Sequence, residues 1–407
     1  MGEKRRSLVS VVKSKTGAYD EIDFTEMVSR SLTNLENSGI DIPSSGAVFI
    51  KPNVIMGASS RDSITTEPQF ISALIKLLKE RGVKRVYVGD SSVSFLQSIE
   101  TFKATGMDRA VEESGGEIVD IDAASERTDL VLPHSDILES ISVPKKALDA
   151  DCLINFAKLK THRIGAMTCC VKNWVGFIPQ DIRLLYHQTR LPKLVAELHR
   201  TLPANLCFAD AVIVGEGDGP DLSRPRFLGV LLSSDDPVAL DSIGARLIGI
   251  DVNDLIFPWT AHLDGVGEIR RNLIDVVGPD IADLAIHVEK PVAVLYNRFP
   301  CNMILGGVCE GCFVWFIGPA LFWQKDRVWE KINKNVGKPT FMMGYNARDI
   351  HFEKHLREGP YFIIGDCTPE RYRNDPQTIH ISGCCPGPKI PELILKNCKI
   401  DEGDEWK

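Results

Sequence analysis

Six of the chain's eleven cysteines lie in its last quarter, and five of them stand in turns. Cys309-Glu310-Gly311-Cys312 stands behind Gly306-Gly307, Cys367 directly behind the run 361–366, and Cys384-Cys385-Pro386-Gly387-Pro388 behind the run 378–381. Each turn follows a short apolar stretch that reads as a strand, so three thiol-bearing turns leave a sheet at one edge. One pair with a two-residue spacer, joined by thiols from separate loops, suits a 4Fe-4S cubane, whose four irons each take one Cys. Glycines beside the ligands let backbone approach the cluster and its amides reach the sulfides. The expected ligands are Cys309, Cys312, Cys367 and Cys385, with Cys384 as the alternative to Cys385. Structural zinc and unligated thiols are the rivals, because a single C-x-x-C also serves as a zinc half-site or redox dithiol. Against zinc stands the lack of a second closely spaced pair. Adjacent Cys384 and Cys385 are awkward for two bonds to one ion. Cys152, Cys207 and Cys398 lie among apolar neighbours as small buried hydrophobes, Cys301 reads as structural, and Cys169-Cys170 are a minor redox candidate.

A second set of polar residues sits at strand ends in the first two thirds of the chain. Lys51 and Asn53 end a run reading Val48-Phe49-Ile50, and Asp90 and Ser91 end the next. Lys160, Thr161 and His162 follow a run through Phe156, and Lys172 and Asn173 follow a short helical stretch. Carboxyl ends of parallel strands are where an open α/β sheet presents its ligands. Together these residues would form a cationic patch able to hold a carboxylate or phosphate or to donate a proton. Lys51, His162 and Lys172 are the catalytic candidates, His162 because its unperturbed pKa of about 6.5 straddles neutrality. Asn53, Asp90, Ser91, Lys160, Asn173 and Glu216 are the binding candidates. Any one of them alone reads more readily as a solvated or capping group. The Gly-rich turn carrying Glu216 and Asp218 lacks both the G-x-G-x-x-G spacing and a P-loop Lys-Ser/Thr.

The elements that must hold these groups alternate along the chain. Near-continuous apolar runs at 7–13, 47–54, 85–89, 117–121, 151–156 and 208–214 read as strands buried on both faces. Between them 67–81 places Phe70, Ile71, Leu74, Ile75, Leu77 and Leu78 largely on one face at helical spacing, and Gly82 ends that helix. Asp236-Pro237 opens another helix with a cap and a first-turn proline, running to Gly249. The pattern predicts an α/β fold, with a large, mostly parallel-sheet domain over 1–288 followed by a smaller α/β domain over 289–407. In the smaller one, strands are expected at 292–296, 340–343, 361–364 and 378–381. Asp241, flanked by Ala239, Leu240 and Ile243, reads as a buried structural acid.

Bulk composition narrows the function. Lys plus Arg number 47 against 55 Asp plus Glu, a formal charge of -8, which repels a phosphate backbone. Nucleic acid is therefore not expected as a partner. The basic start is followed by an apolar stretch too short for a signal peptide, and Arg6 breaks the myristoylation pattern. The apolar-aromatic run 313–323 is shorter than the roughly 20 residues that span a bilayer, though it could line an interface. A cytoplasmic protein with reduced thiols is expected.

Six ordered motifs carry a resemblance: Lys51-Pro52-Asn53; Val88-Gly89-Asp90-Ser91; Lys158-Leu159-Lys160-Thr161-His162; Val171-Lys172-Asn173-Trp174-Val175-Gly176; Glu216-Gly217-Asp218-Gly219-Pro220; and Asp235-Asp236-Pro237-Val238-Ala239-Leu240-Asp241. Over about 48–267 the chain resembles the family known as domain of unknown function 362, whose members are often linked to iron-sulfur binding. The tail resembles, more loosely, the 4Fe-4S-binding fold of hydrogenase small subunits, with Cys309, Cys312, Cys367 and Cys385 in the ligand places. It departs from that fold at Gly383-Cys384-Cys385-Pro386-Gly387, which has an extra Cys and lacks the second consecutive Pro. The expected function is a redox enzyme passing single electrons from a 4Fe-4S cluster to a small anionic substrate or bound cofactor, flavin being one that fits. The alternatives are a lyase or isomerase with a structural cluster, and an electron carrier or scaffold that docks a redox partner protein.

Overall fold

The computed structural model describes residues 6–93, 96–133, 135, 137–163, 165–186, 190–220, 222–291, 299–305, 310–344 and 347–400. It divides into two compact units, one of Met1–Arg183 with Pro192–Pro291, the other of Leu184–Leu191 with Val292–Lys407. The protein is α/β, with a large, mostly parallel sheet and a smaller parallel one.

In the first unit the strands are β1 (Ser7–Lys13), β2 (Ala47–Lys51), β3 (Arg85–Val88), β4 (Glu117–Ile118), β5 (Arg127–Val131), β6 (Ser140–Pro144), β7 (Cys152–His162), β8 (Ala166–Thr168), β9 (Leu206–Glu216), β10 (Arg224–Ser234) and β11 (Ile274–Val277). The main sheet runs β11-β1-β10-β9-β7-β2-β3-β4, with β8 pairing β7 and with β5 and β6 forming a separate hairpin. β2, β3, β4, β7 and β9 are parallel, and β10 runs against both its neighbours.

The reason for this order lies in the crossovers. The helix Pro68–Glu80 carries the chain from β2 to β3 on one side, whereas β7 is laid on the other flank of β2. The carboxyl ends of β2 and β7 thus meet where the direction of winding reverses, the place where open α/β sheets bind ligands. Lys51, the last residue of β2, is in register with Asn155 of β7.

The helix Pro68–Glu80 starts at Glu67, whose carboxylate accepts from the Gln69 N–H, with Pro68 in its first turn. It buries Phe70, Ile71, Leu74, Ile75 and Leu78. Phe70 meets Phe156 at 5.7 Å between ring centroids, and Phe156 stacks on Phe208 at 5.1 Å, joining helix, β7 and β9 in one core. Full burial of each such side chain is worth about 1.5–3 kcal/mol. The helix Pro237–Leu247 is capped by Asp236, which accepts from the N–H groups of Val238 and Ala239.

The second unit holds β12 (Asn302–Leu305), β13 (Thr340–Met343), β14 (Tyr361–Ile364) and β15 (Thr378–Ile381), all parallel and in sequence order. The strand expected at 292–296 lies outside the described residues. The strand that precedes the first cysteine loop is Asn302–Leu305 instead, a four-residue segment too short and too half-buried to show in the pattern. The helices Glu310–Lys325 and Val328–Val336 follow, burying Phe316, Trp323 and Trp329. No helix among the described residues is long and apolar enough to cross a membrane.

Candidate functional site

The strand-end residues of the first unit are not a solvated patch. Lys51, Asn53, Asp90, Lys158, Lys160 and Asn173 are all buried. They are also ordered by one another. The Lys51 ammonium donates to Asp90 Oδ1 at 2.6 Å, to Asn173 Oδ1 at 3.1 Å and to the Pro52 carbonyl at 3.1 Å. Asp90 also accepts from the N–H groups of Val54 and Ser91. From Lys160 a run of amides passes donors in one direction. Lys160 donates to Asn53 Oδ1 (2.7 Å), Asn53 to Asn173 Oδ1 (3.1 Å), Asn173 to Asn155 Oδ1 (2.8 Å), and Asn155 to the Cys170 carbonyl (2.8 Å). Because each amide is gripped on both sides, its orientation is fixed by its neighbours.

Burial lowers the Lys51 pKa from the ordinary lysine value, and Asp90 pulls it part of the way back. Lys160 is driven much further below that value, first by burial and then by the charges of Lys158 and Lys172. Lys158 is matched by Asp210, 2.8 Å away and level with it on β9. Among the described residues no carboxylate stands within ion-pair distance of Lys160; its second acceptor is the Ile64 carbonyl.

Gly176 explains the end of the Val171–Gly176 motif. A Cβ there would overlap Asp90 Oδ1 and stand 2.7 Å from Lys51 Nζ, so only glycine lets this turn close over the ion pair.

The other expected members are spread more widely. Ser91 joins the set through its N–H to Asp90, while its hydroxyl donates to Asp122 Oδ1 at 2.7 Å and accepts from Arg183. Lys172 lies 5.3 Å from the centre of the Phe257 ring, a cation–π contact, and is the least buried of the four lysines. Lys160, Thr161 and His162, expected beyond a strand ending at 156, are inside β7, and His162 Nδ1 accepts from Gly165 N–H in the β7–β8 hairpin. Glu216 ends β9 and accepts from the Glu289 N–H with Arg224 nearby, so it is not brought to the lysines. A cleft of about 540 Å³ lies beyond β3 and β4, lined by Ser98, Asp120, Asp122, Arg127 and Asp181. Its three aspartates to one arginine make it a poor home for an anion.

Sequence reasoning missed Asn155, Asp210 and Arg183. Asn155 and Asp210 sit in the middle of apolar strands, where a lone polar residue is itself a signal, since a buried polar group must find a partner.

Cys169, Cys170 and Asp241 bring three potential ligand atoms within 4.8 Å of one another. The group is satisfied by protein, however. Asp241 accepts from the N–H groups of Cys170 and Val171, and the Cys170 thiol donates to the Phe208 carbonyl. Burial pushes the Cys169 thiol up to about 12 and the Asp241 carboxyl up to about 7, both away from the anions a metal requires.

In the second unit, Cys367 follows β14 and Cys384 and Cys385 follow β15, at the carboxyl edge of a parallel sheet. Cys309 lies outside the described residues, and Cys312 is in the first turn of the helix that follows it. Gly365 is the pivot, with φ +88°. A Cβ built on it would stand 3.3 Å from Cys312 Sγ and 3.7 Å from Cys367 Sγ, so the two sulfurs flank one bare patch of backbone. The Gly365 N–H donates to the Ile381 carbonyl and that of Asp366 to the Gly383 carbonyl, tying the Cys367 turn to the Cys384-Cys385 turn. Cys385 Sγ accepts from the Gly387 N–H at 3.3 Å. Cys312 is buried, Cys385 half-buried, and Cys367 and Cys384 exposed. Cys152, Cys207, Cys301 and Cys398 are buried, as expected of packing residues.

Comparison with known proteins adds a domain and a relative. The thylakoid-associated protein sll1697 of Synechocystis sp. is 28% identical over 308 residues, covering 73% of this chain and 88% of that protein. The lactate racemase apoprotein of Thermoanaerobacterium thermosaccharolyticum aligns over 98% of this chain and 92% of its own at 11% identity and a TM-score of 0.38. A Thermotoga maritima protein aligns over 94% and 93% at 12% identity and a TM-score of 0.33. Likenesses at those scores carry no argument about chemistry. Residues 48–246, which contain the whole lysine and asparagine network, match the family described as domain of unknown function DUF362.

Proposed function

We propose that the second unit binds one 4Fe-4S cluster through Cys309, Cys312, Cys367 and Cys385, with Cys384 as the alternative to Cys385. On this reading the protein is an iron-sulfur oxidoreductase acting on a small anionic substrate, or on a bound cofactor such as flavin, held by the lysine edge of the first unit. The observation that carries it is the convergence of Cys312 and Cys367 on the side-chain-free face of Gly365, with the Cys385 turn hydrogen-bonded to the same loop. A bound cluster would supply single electrons, at a potential set by hydrogen bonds to its sulfurs and by exposure. The chain's own part is binding and orientation. Lys51, itself anchored by Asp90, holds Asn173, Asn173 holds Asn53, and Asn53 holds Lys160, all in a buried site where a substrate's charge is felt strongly.

Anaerobic purification should yield a brown protein with about four irons and four acid-labile sulfides per chain. Cys367→Ser should remove most of the visible absorbance, and Cys152→Ser should leave it intact. A colourless protein with stoichiometric zinc would overturn the proposal, and extraction with a flavin assay decides the bound-cofactor branch. A cytoplasmic location is part of the same proposal.

A further inference from the structure

The geometry points to Lys160 as a nucleophilic amine that forms an imine with the carbonyl group of a small 2-oxo acid. This rests on reading the lysine edge as a substrate site, and not on the cluster.

Donor counts separate Lys160 from Lys51. An ammonium carries three N–H groups and an uncharged amine two. Lys51 meets three acceptors, one of them the Asp90 carboxylate, and so is matched to the ammonium form. Lys160, at 0% exposure, meets two, the Asn53 Oδ1 and the Ile64 carbonyl, both neutral. As an ammonium it would bury a charge without a carboxylate in ion-pair reach and leave a third N–H without a protein acceptor, each costly at a fully buried position. As an amine it uses both N–H groups and keeps its lone pair for reaction. The lowered pKa agrees with this: beyond burial, Lys158, Lys172 and Lys51 push in the same direction, against an opposing pull from Asp90 that is smaller than that of Lys158 or Lys172. The fixed amide run behind Asn53 prevents the usual remedy, in which Asn53 would turn to offer something else, because its N–H is committed to Asn173.

An uncharged lysine in a site with other lysines is the arrangement that attacks carbonyl carbon. The lone pair forms a C–N bond, the carbonyl oxygen takes two protons from the amine and leaves as water, and the product is the imine: amine plus ketone gives imine plus water, with no oxidant or reductant. The substrate's carboxylate is drawn by Lys172, the most accessible of the four lysines. A 2-oxo acid supplies both the electrophilic carbon and the adjacent negative charge.

The test uses the full-length protein with pyruvate as the probe and cyanoborohydride to reduce any imine, followed by peptide mass spectrometry. The expected result is a reduced pyruvate adduct on the Lys160 peptide at pH 7. Its rate should change less than about threefold by pH 9, while surface lysines gain roughly a hundredfold as their amines deprotonate toward their ordinary pKa of about 10.4. An unmodified Lys160 beside modified surface lysines overturns the proposal, as does a Lys160 adduct that rises with pH as the surface adducts do. Iron is assayed in the same preparation. A cluster without the adduct sinks the imine alone, and the adduct without a cluster sinks the iron-sulfur reading alone.

Discussion

Lys51 and Asp90 form a pair at 1% and 2% side-chain exposure, so each has surrendered its water for the other. Removing one member leaves a buried charge uncompensated, at a cost of about 3–5 kcal/mol, whereas replacing both by apolar groups costs less. Asp90→Asn is therefore expected to lose several kcal/mol in urea unfolding, and the Lys51→Met/Asp90→Asn double variant to recover a large part of it. His199 gives a pH prediction. Its ring stacks on Trp174 at 4.8 Å, Nε2 lies 3.0 Å from the Val171 carbonyl, and burial lowers its pKa to about 4. The folded value lies below the unfolded value of about 6.5, so its contribution is complete above pH 6.5 and fades as pH falls toward 4, up to about 3 kcal/mol. Asp241, raised to about 7, acts with the opposite sign over the same window and by a comparable amount, so the difference between variant and unaltered protein is what isolates His199. The destabilisation that His199→Asn causes in urea unfolding at pH 7 should therefore shrink at pH 4.5. At this scale the sequence was informative: Lys51, Asn53 and Asp90 are legible from their places at strand ends, and Lys160 and Asn173 from the motifs that carry them. Their burial was not, because a lysine's partner lies on another strand and pairing is invisible in one dimension.

Among elements, β7 shows most clearly where pattern and structure part. An apolar run ending at Phe156 suggests a strand that stops there, yet β7 continues to His162, every residue of it buried. Lys158 and Lys160 look like loop residues, and the strand persists because Asp210, Asn53 and the Ile64 carbonyl satisfy them. Tertiary partners override local preference here. Helix ends were far more readable: Glu67 with Pro68 and Asp236 with Pro237 are capping signals that need no distant partner. The turn at Gly176 carries its own prediction. Gly176→Ala forces a methyl into the Lys51–Asp90 pair and is expected to lower the thermal midpoint by several degrees, corresponding to about 2 kcal/mol or more, whereas Gly17→Ala, where nothing lies within 4 Å, should be neutral.

At the scale of the whole molecule, each compact unit carries its own candidate chemistry, thiols at the edge of a four-stranded sheet and lysines at the reversal point of a larger one. That both sit at carboxyl edges was legible from strand-then-motif spacing; which strands are neighbours was not, since the order β4-β3-β2-β7-β9 depends on which side each crossover takes. The lysines are sheathed in a protein whose overall formal charge is -8. An incoming anion therefore meets repulsion at long range and attraction only once it has left the solvent. Salt shortens the reach of the outer field, to about 10 Å at 0.1 M, but scarcely enters the interior. Small carboxylates should accordingly associate faster as ionic strength rises from 20 to about 200 mM, the reverse of what a surface basic patch gives, and stopped-flow association rates would show it.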